Sequence, residues 1–437
     1  MREMKDSGVA WIGEIPKEWE LETIKQLMIE RNEKNRDGQT DTIVSLSAKD
    51  GVTLYDSENH TGNKPREDLS DYKVVYEGDI VVNSMNILSG AVGLSEYMGC
   101  VSPVYYIYYP RSDGNRQFFH YLFQSKQFQL SLRGLGNGIL IKETESGSLN
   151  TIRMRIPSQK LGAQLFPVPP VETQARIVEA LDASIVKVDT LISNNEAQIE
   201  KLKQYKQSLI TEVVTKGLDP TVPMIDSGIE WIGEIPEHWG LNRIKYICKF
   251  NPSNKCNMDS TLNVSYAPME CVKNGYMLYR EITIDKISSG LTYFEEEDIV
   301  MAKVTPCFEN GNIAIAENLK NGVGFGSSEL FVFRCLQVYN RWLMYFLRSN
   351  TFVERAKATM TGTGGLKRVS PNFVNSLTLA IPPKTEQEQI STYLDTKCAQ
   401  IDSLIAIKQA KIKKLNQYKK SLIYEYVTGK KEVNYNV

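Results

Sequence analysis

Three histidines in 437 residues leave little material for imidazole chemistry, and the cysteines do not make up the shortage. The seven, Cys100, Cys248, Cys256, Cys271, Cys307, Cys335 and Cys398, lie far apart with no C-x-x-C pair. That spacing argues against a zinc cage and reads as buried or free thiols. No apolar run approaches the roughly 18 residues that a membrane helix requires. The opening residues, MREMKDSGVAW, lack the apolar core and small-residue cleavage site of a secretory signal, so a cytoplasmic setting is expected. Net charge is missing too. With 51 Lys and Arg against 52 Asp and Glu, the chain is not a lone cationic protein that grips phosphates non-specifically.

Two kinds of catalytic loop are also absent. No G-x-x-x-x-G-K-[ST] stretch exists to cradle a nucleotide. Methyl transfer to a base would need a glycine-rich cofactor loop and an Asn/Asp-Pro-Pro-aromatic tetrad, and the nearest approach, Asn251-Pro252-Ser253-Asn254, lacks the second proline and the aromatic. A Ser/His/Asp arrangement would have to recruit His60 in a polar loop, His120 on an amphipathic helix, or His238, whose counterpart in the repeat described next is Glu18. The chain is therefore read as non-catalytic, without a cofactor or metal of its own. What remains is ordinary soluble material, 42% hydrophobic and 24% charged, with room for two or three domains.

The chain contains itself twice. DSGVAWIGEIPKEWELETIK from Asp6 and DSGIEWIGEIPEHWGLNRIK from Asp226 share 13 of 20 positions at an offset of 220. A second pair, running from Pro169 and from Pro382, shares 22 of 48 positions at an offset of 213. The layout is A, B, A′, B′, with boundaries near 1–168, 169–219, 220–381 and 382–437.

Each B segment follows a Pro-Pro pair, which blocks helix upstream, and carries an apolar stripe spaced alternately three and four residues apart. In the first copy the stripe is Ile185, Val188, Ile192, Ile199, Leu202 and Leu209; in the second it is Ile401, Ile405, Ile412, Leu415 and Leu422. This is a coiled-coil seam, and about 45 residues at 1.5 Å each make a rod on the order of 65 Å long. A helix with so narrow a stripe needs a partner, and the obvious one is its own copy. Asn195 and Lys408 interrupt the two seams at matching places, either as a polar layer that fixes register or as residues facing solvent.

The A segments read as α+β globules. Short β-rich runs such as DIVVNSM, VYYIYY, DIVMAKV and ELFVFRC alternate with Gly and Asn turns. Each also has one amphipathic helix, RQFFHYLFQSKQFQLSLR from Arg116 and NRWLMYFLRSNTFVERAKATM from Asn340. The interiors of A and A′ have diverged while the rods are kept, which suggests one shared docking role and two different recognition roles.

Polar residues at the ends of these strands are candidates for reading base edges: Asn83, Ser84 and Asn86 in A, and Lys303, Thr305 and Asn310 in A′. Two glycine loops in equivalent positions, RGLGNGILIK and TMTGTGGLKRVS, could let the backbone approach a phosphate. They bring Lys142, Thr361, Thr363, Lys367 and Arg368, and Arg155 aligns with Arg368 when both are counted back from the Pro-Pro pairs. The alternative for all of these is ordinary strand ends and loops with solvated charges.

WIGEIPxxW openings, strands of the DIVxNSM and DIVMAKVTPCFENG type, and a PPxxEQxxIxxxLD start to a long helix ending KQSLIxExVT resemble the specificity subunits of type I restriction-modification systems. The resemblance spans nearly the whole chain; an insertion-like stretch near residues 139–152 has no counterpart in A′. It implies two α+β target-recognition domains separated by two long helices that pair as an antiparallel coiled coil. Each domain would read one half of an interrupted double-stranded DNA site, and the helices would set the spacer. Two methyltransferase subunits and the restriction subunits would be the partners, carrying S-adenosylmethionine, ATP and Mg; no membrane is implied. The competing reading is a non-catalytic tandem scaffold that binds protein partners.

Overall fold

The computed structural model describes residues 2–56, 58, 64–136, 141–143, 149–151, 155–253, 259–363 and 365–433, with the backbone alone for 141–143 and 149–151. His60, Cys256 and the side chain of Lys142 lie outside the described residues. The chain forms two compact units, one made of Met1–Asn195 with Ala410–Val437, the other of Glu196–Gln409. Both dividing points fall inside long helices, Val171–Lys216 and Lys384–Val427. Each unit thus owns half of each helix.

In the first unit a hairpin of Met4–Asp6 and Glu14–Pro16 leads to Glu20–Thr23, which pairs with Leu165–Val168. Thr23 and Gln26 form a reciprocal cap on the short helix Ile24–Leu27, satisfying N–H groups that the helix itself cannot. The central antiparallel sheet has the order Met28–Glu30, Tyr105–Pro110, Ile80–Asn83, Val92–Leu94. The second unit repeats this plan with Met224–Asp226 and Glu234–Pro236, then Gly240–Arg243 on Thr378–Ile381, and the sheet order Cys248–Phe250, Leu330–Cys335, Ile299–Ala302, Ile313–Ile315. It adds a second four-stranded sheet in which Asn263–Ala267 and Val323–Gly326 run parallel.

The single amphipathic helix expected in each globule is broken in two, Arg116–Gln124 with Lys126–Ser131 and Asn340–Arg348 with Asn350–Ala358. The break falls on a serine with non-helical backbone each time, Ser125 and Ser349. At Ser349 the hydroxyl bonds the backbone locally, accepting from the Phe352 N–H and donating to the Phe346 carbonyl, whereas the Ser125 hydroxyl caps no backbone N–H and reaches Gln127 Oε1.

Two devices repeat in both units. A glutamine in the first turn of the long helix, Gln174 or Gln387, is buried. Its Oε1 accepts from the backbone N–H that starts the amphipathic helix, Asn115 at 2.9 Å or Tyr339 at 2.7 Å, while its Nε2 donates to Pro169 or Pro382. A carboxylate before the central strand, Asp79 or Asp298, is almost fully buried and needs a paired charge. Arg31 supplies it in the first unit and Arg334, from the neighbouring strand, in the second.

Within each unit the helix halves run antiparallel. Asp189 meets Lys419 at 2.8 Å in the first; in the second, Gln198 meets Lys408 at 2.5 Å and Lys206 meets Asp402 at 2.6 Å. Of the expected stripe, Val188, Ile199, Leu209, Ile401 and Leu422 are buried, while Ile185, Ile192, Leu202, Ile405, Ile412 and Leu415 are half-buried. Asn195 is 5% exposed, and its amide donates to its own helix at Leu191 O, 2.6 Å away.

The core of each unit is closed by the C-terminal turns of a long helix, in the first unit from the far end of the sequence and in the second from the segment just before its opening motif. Leu422, Ile423, Tyr426 and Val427 join Trp11, Ile12, Ile15 and Trp19, and Tyr424 Oη donates to Ile12 O at 3.1 Å. Gly429 turns the chain at φ +71°, where a Cβ would sit 2.5 Å from Pro16. In the second unit Leu209, Ile210, Val213 and Val214 close on Ile235 and Trp239 in the same way. Leu422, 1% exposed, therefore belongs to the core that the first residues of the chain begin. Leu422→Ala should destabilise the first unit by about 2–5 kcal/mol, with hydrogen-exchange protection lost across Trp11–Trp19 and Phe118–Leu132. Unchanged protection there would contradict the shared core.

Candidate nucleic-acid interface

In the second unit the strand Ile299–Ala302 delivers its polar end to a loop from much later in the chain. Val304 bridges Arg368, and Arg368 bridges Thr361. The Val369 N–H donates to Lys303 O at 2.9 Å. Thr305 is buried and ties the loop down: its hydroxyl donates to Gly365 O at 2.8 Å and accepts from the Lys367 N–H at 2.9 Å. The stitching leaves Thr361, Thr363, Lys367 and Arg368 on the surface, with Asn310 exposed on the turn that follows the strand.

The first unit has the same junction. Ile156 N–H donates to Ser84 O at 3.0 Å, so Arg155 stands beside the strand end as Arg368 does. Two expected readers are used up in building it. Ser84 is fully buried with its hydroxyl on Val104 O at 2.6 Å. Asn83 is buried, and its Oδ1 accepts from the Met85 and Asn86 N–H groups. Their side chains serve the turn and are closed to a base edge in this conformation, as is the hydroxyl of Thr305. Asn86 is exposed.

Charge at the two junctions differs. Arg155 lies 5.8 Å from the Tyr106 ring centre and Lys73 lies 5.6 Å from the same ring. Tyr106 Oη donates to Ile156 O at 2.8 Å, which fixes the segment that carries Arg155. Burial pulls the Lys73 ammonium below its ordinary range, Glu30 opposes that, and Lys34 and Arg155 add to it. In the second unit Arg368 is held side-on by Glu329, with Nε 2.9 Å from Oε2 and Nη2 2.7 Å from Oε1. The guanidinium keeps the Glu329 carboxyl below its usual range. Lys303 donates to Ser328 O at 2.7 Å and lies over Phe331. Lys73, Tyr106 and Glu329 were not among the residues that the sequence singled out. They lie 82, 49 and 39 positions from the arginines they serve, and no spacing rule connects them.

Neither described histidine stands in a catalytic array. His238 pairs with Glu386 at 2.8 Å, in a bond that also takes Trp239 Nε1. His120 is buried on the Arg116–Gln124 helix. Among the described residues no group of three His, Cys, Asp or Glu side chains could hold a metal ion, and no helix is long and apolar enough to cross a membrane.

No protein-family profile matches the chain. The EcoAI and EcoEI type I restriction enzyme specificity subunits of Escherichia coli are 33% identical over 177 residues and 32% identical over 204. Those alignments cover 39% and 45% of this chain and only 30% and 34% of the relatives' own length. A Methanocaldococcus jannaschii chain provisionally named as the MjaX type I restriction enzyme specificity subunit is 23% identical over 455 residues, 96% of this chain and 95% of the relative. Among solved structures, the HsdS subunit from Thermoanaerobacter tengcongensis superposes with a TM-score of 0.51 at 14% identity, covering 95% of this chain and 98% of that one. A chain from a study of complex assembly and conformational transition of the type I R-M system reaches 0.68 at 14% identity, covering 94% and 98%. In sequence and in fold, this chain resembles a type I restriction specificity subunit. The fold is the mixed helix-and-strand fold of HsdS.

Burial, with neither ring nitrogen hydrogen-bonded, lowers the pKa of His120 from 6.5 to about 4. Between those values the unfolded chain binds the proton and the folded one does not. Stability of the first unit should therefore fall as pH drops from 6.5 towards about 4, and His120 should contribute no slope above that window. His120→Leu should flatten this part of the profile in denaturant titrations made across it. Parallel loss in wild type and variant would show that His120 is not the group responsible.

Proposed function

We propose that this chain is the DNA-reading specificity subunit of a type I restriction-modification complex, each unit recognising one half of a bipartite double-stranded target. The observation that carries the reading is the repeated junction: a strand end bonded to a late loop, with an arginine on the surface, at Ser84–Ile156 and again at Lys303–Val369. Two such junctions on diverged surroundings suit two unlike half-sites. The domains would be 1–168 and 220–381, with 169–219 and 382–437 as the arms of an antiparallel coiled coil. Chemistry would belong to partners. Two methyltransferase subunits would dock along the helices with S-adenosylmethionine, and restriction subunits would bring ATP and Mg, all in the cytoplasm. A chain with net charge −1 would then share the work of enclosing the duplex with its partners.

The direct test is to map methylated bases in host cells with and without the gene, and to exchange residues 1–165 for the equivalent domain of a relative. One half of the methylated motif should change and the other should stay. A change in both halves refutes the modular assignment, and no gene-dependent methylation together with salt-insensitive duplex binding favours the protein scaffold.

The same reading makes the helices a ruler. Seven residues of helix add about 10.5 Å, close to three base pairs at 3.4 Å each. Seven residues inserted after Asn195 and seven after Gln409, where the units divide, keep the apolar stripe in phase. The mapped spacer should lengthen by up to about three base pairs with both half-sites unchanged. An active complex with an unaltered spacer would show that the helices do not set it.

A further inference from the structure

We propose that Arg368 reads a guanine, with Glu329 as the positioning residue that fixes its fork, while Arg155 at the equivalent junction contacts a phosphate. This rests on the DNA-reading function proposed above and assigns different work to two arginines that the repeat makes equivalent.

A guanidinium has five N–H donors in one plane. Glu329 takes the side edge, Nε and one Nη2 hydrogen. The end edge, one Nη1 hydrogen with the outer Nη2 hydrogen, is left directed away from the carboxylate. That edge matches the O6 and N7 acceptors of guanine in the major groove. The carboxylate also cancels the charge. A phosphate is attracted mainly by net positive charge and by the counterions its neutralisation releases, and a neutral Arg–Glu pair offers little of either. A base edge is uncharged and is recognised by the direction of donors, which the pair keeps and makes rigid. Glu329 thus removes the part of Arg368 that would bind any duplex and leaves the part that distinguishes one base. Both side chains are reachable, with Arg368 47% and Glu329 27% exposed.

The first unit lacks this device. In the strand register Tyr105 faces Asn83 as Leu330 faces Ala302, so the counterpart of Glu329 is Val104, which has no carboxylate. Among the described residues no acid pairs with Arg155. It stands over Tyr106 beside Lys73, and its full charge is available to an anion.

The test compares full-length wild type with Arg368→Ala, Arg368→Lys, Glu329→Gln and Arg155→Ala. Methylated sites are mapped in host cells, and affinity is then measured on duplexes bearing the mapped motif and on an unrelated duplex. Arg368→Ala and Arg368→Lys should both relax one G·C position in a single half-site, lowering discrimination there on the order of 10- to 100-fold, because lysine restores charge but not the fork. Glu329→Gln should relax the same position and bind the unrelated duplex more tightly, with a salt slope steeper by about 1. A merely structural Glu329 would not produce that change. Arg155→Ala should weaken all duplexes evenly and lower the slope by about 1. Thermal melting separates misfolding from these effects, and the two conservative variants keep the test readable if an alanine variant unfolds. Wild-type behaviour of Arg368→Lys would overturn the guanine assignment in favour of a phosphate contact. An unchanged motif in Glu329→Gln would overturn the positioning role. If wild type directs no methylation and binds no duplex, the DNA-reading function itself fails, an outcome distinct from both.

Discussion

Closure of each unit by the end of a helix from the other half of the sequence is the constraint on which the rest of the structure depends. The first forty residues of the chain contribute Trp11, Ile12, Ile15 and Trp19 to a core that is completed by Leu422, Ile423, Tyr426 and Val427. The second unit is completed in the same way by Leu209, Ile210, Val213 and Val214. These contacts span most of the sequence in the first unit and about 30 residues or fewer in the second, and in both the opening motif is buried only against the helix turn that belongs to it. The helices are therefore structural members of both units before they are anything else. Their narrow apolar stripe widens where the globule covers them: Ile210, Val214, Ile423 and Val427, outside the regular seam, are buried.

On that frame, duplication has kept some solutions and exchanged others. The glutamine that ties each long helix to its amphipathic neighbour is the same residue in both units, Gln174 and Gln387, because its amide must accept and donate at once. The buried aspartate is also kept, but its guanidinium comes from Arg31 in one unit and Arg334 in the other. A buried carboxylate requires a paired cation and is indifferent to which strand supplies it. The junction that carries Arg155 and Arg368 follows the same logic. The backbone bonds are repeated, while the groups around the arginines, Tyr106 and Lys73 in one case and Glu329 in the other, have diverged. Shared backbone with divergent electrostatics is what two readers of unlike half-sites would need.

The sequence by itself determined the period-based features. The repeat at offsets 220 and 213, the long helices after Pro-Pro and the α+β character of the rest follow from local patterning, which acts through neighbours three and four residues apart or through alternation. It also marked Lys303 at a strand end and Thr361, Lys367 and Arg368 in a glycine loop as separate candidates, since strand ends and glycine loops are legible locally; that the loop meets the strand end came from the tertiary structure. The tertiary structure decided what each polar group does. Asn83, Ser84 and Thr305 look like readers in the sequence but are buried and bonded to backbone. Both amphipathic helices break at a serine where the apolar period alone ran on. Asn195 could have faced water or the seam, and its 5% exposure placed it inside. Glu329 and Tyr106 had no sequence signal at all, because hydrogen bonds and ring contacts between residues dozens of positions apart depend on how strands are registered, and that register is set only when the core closes.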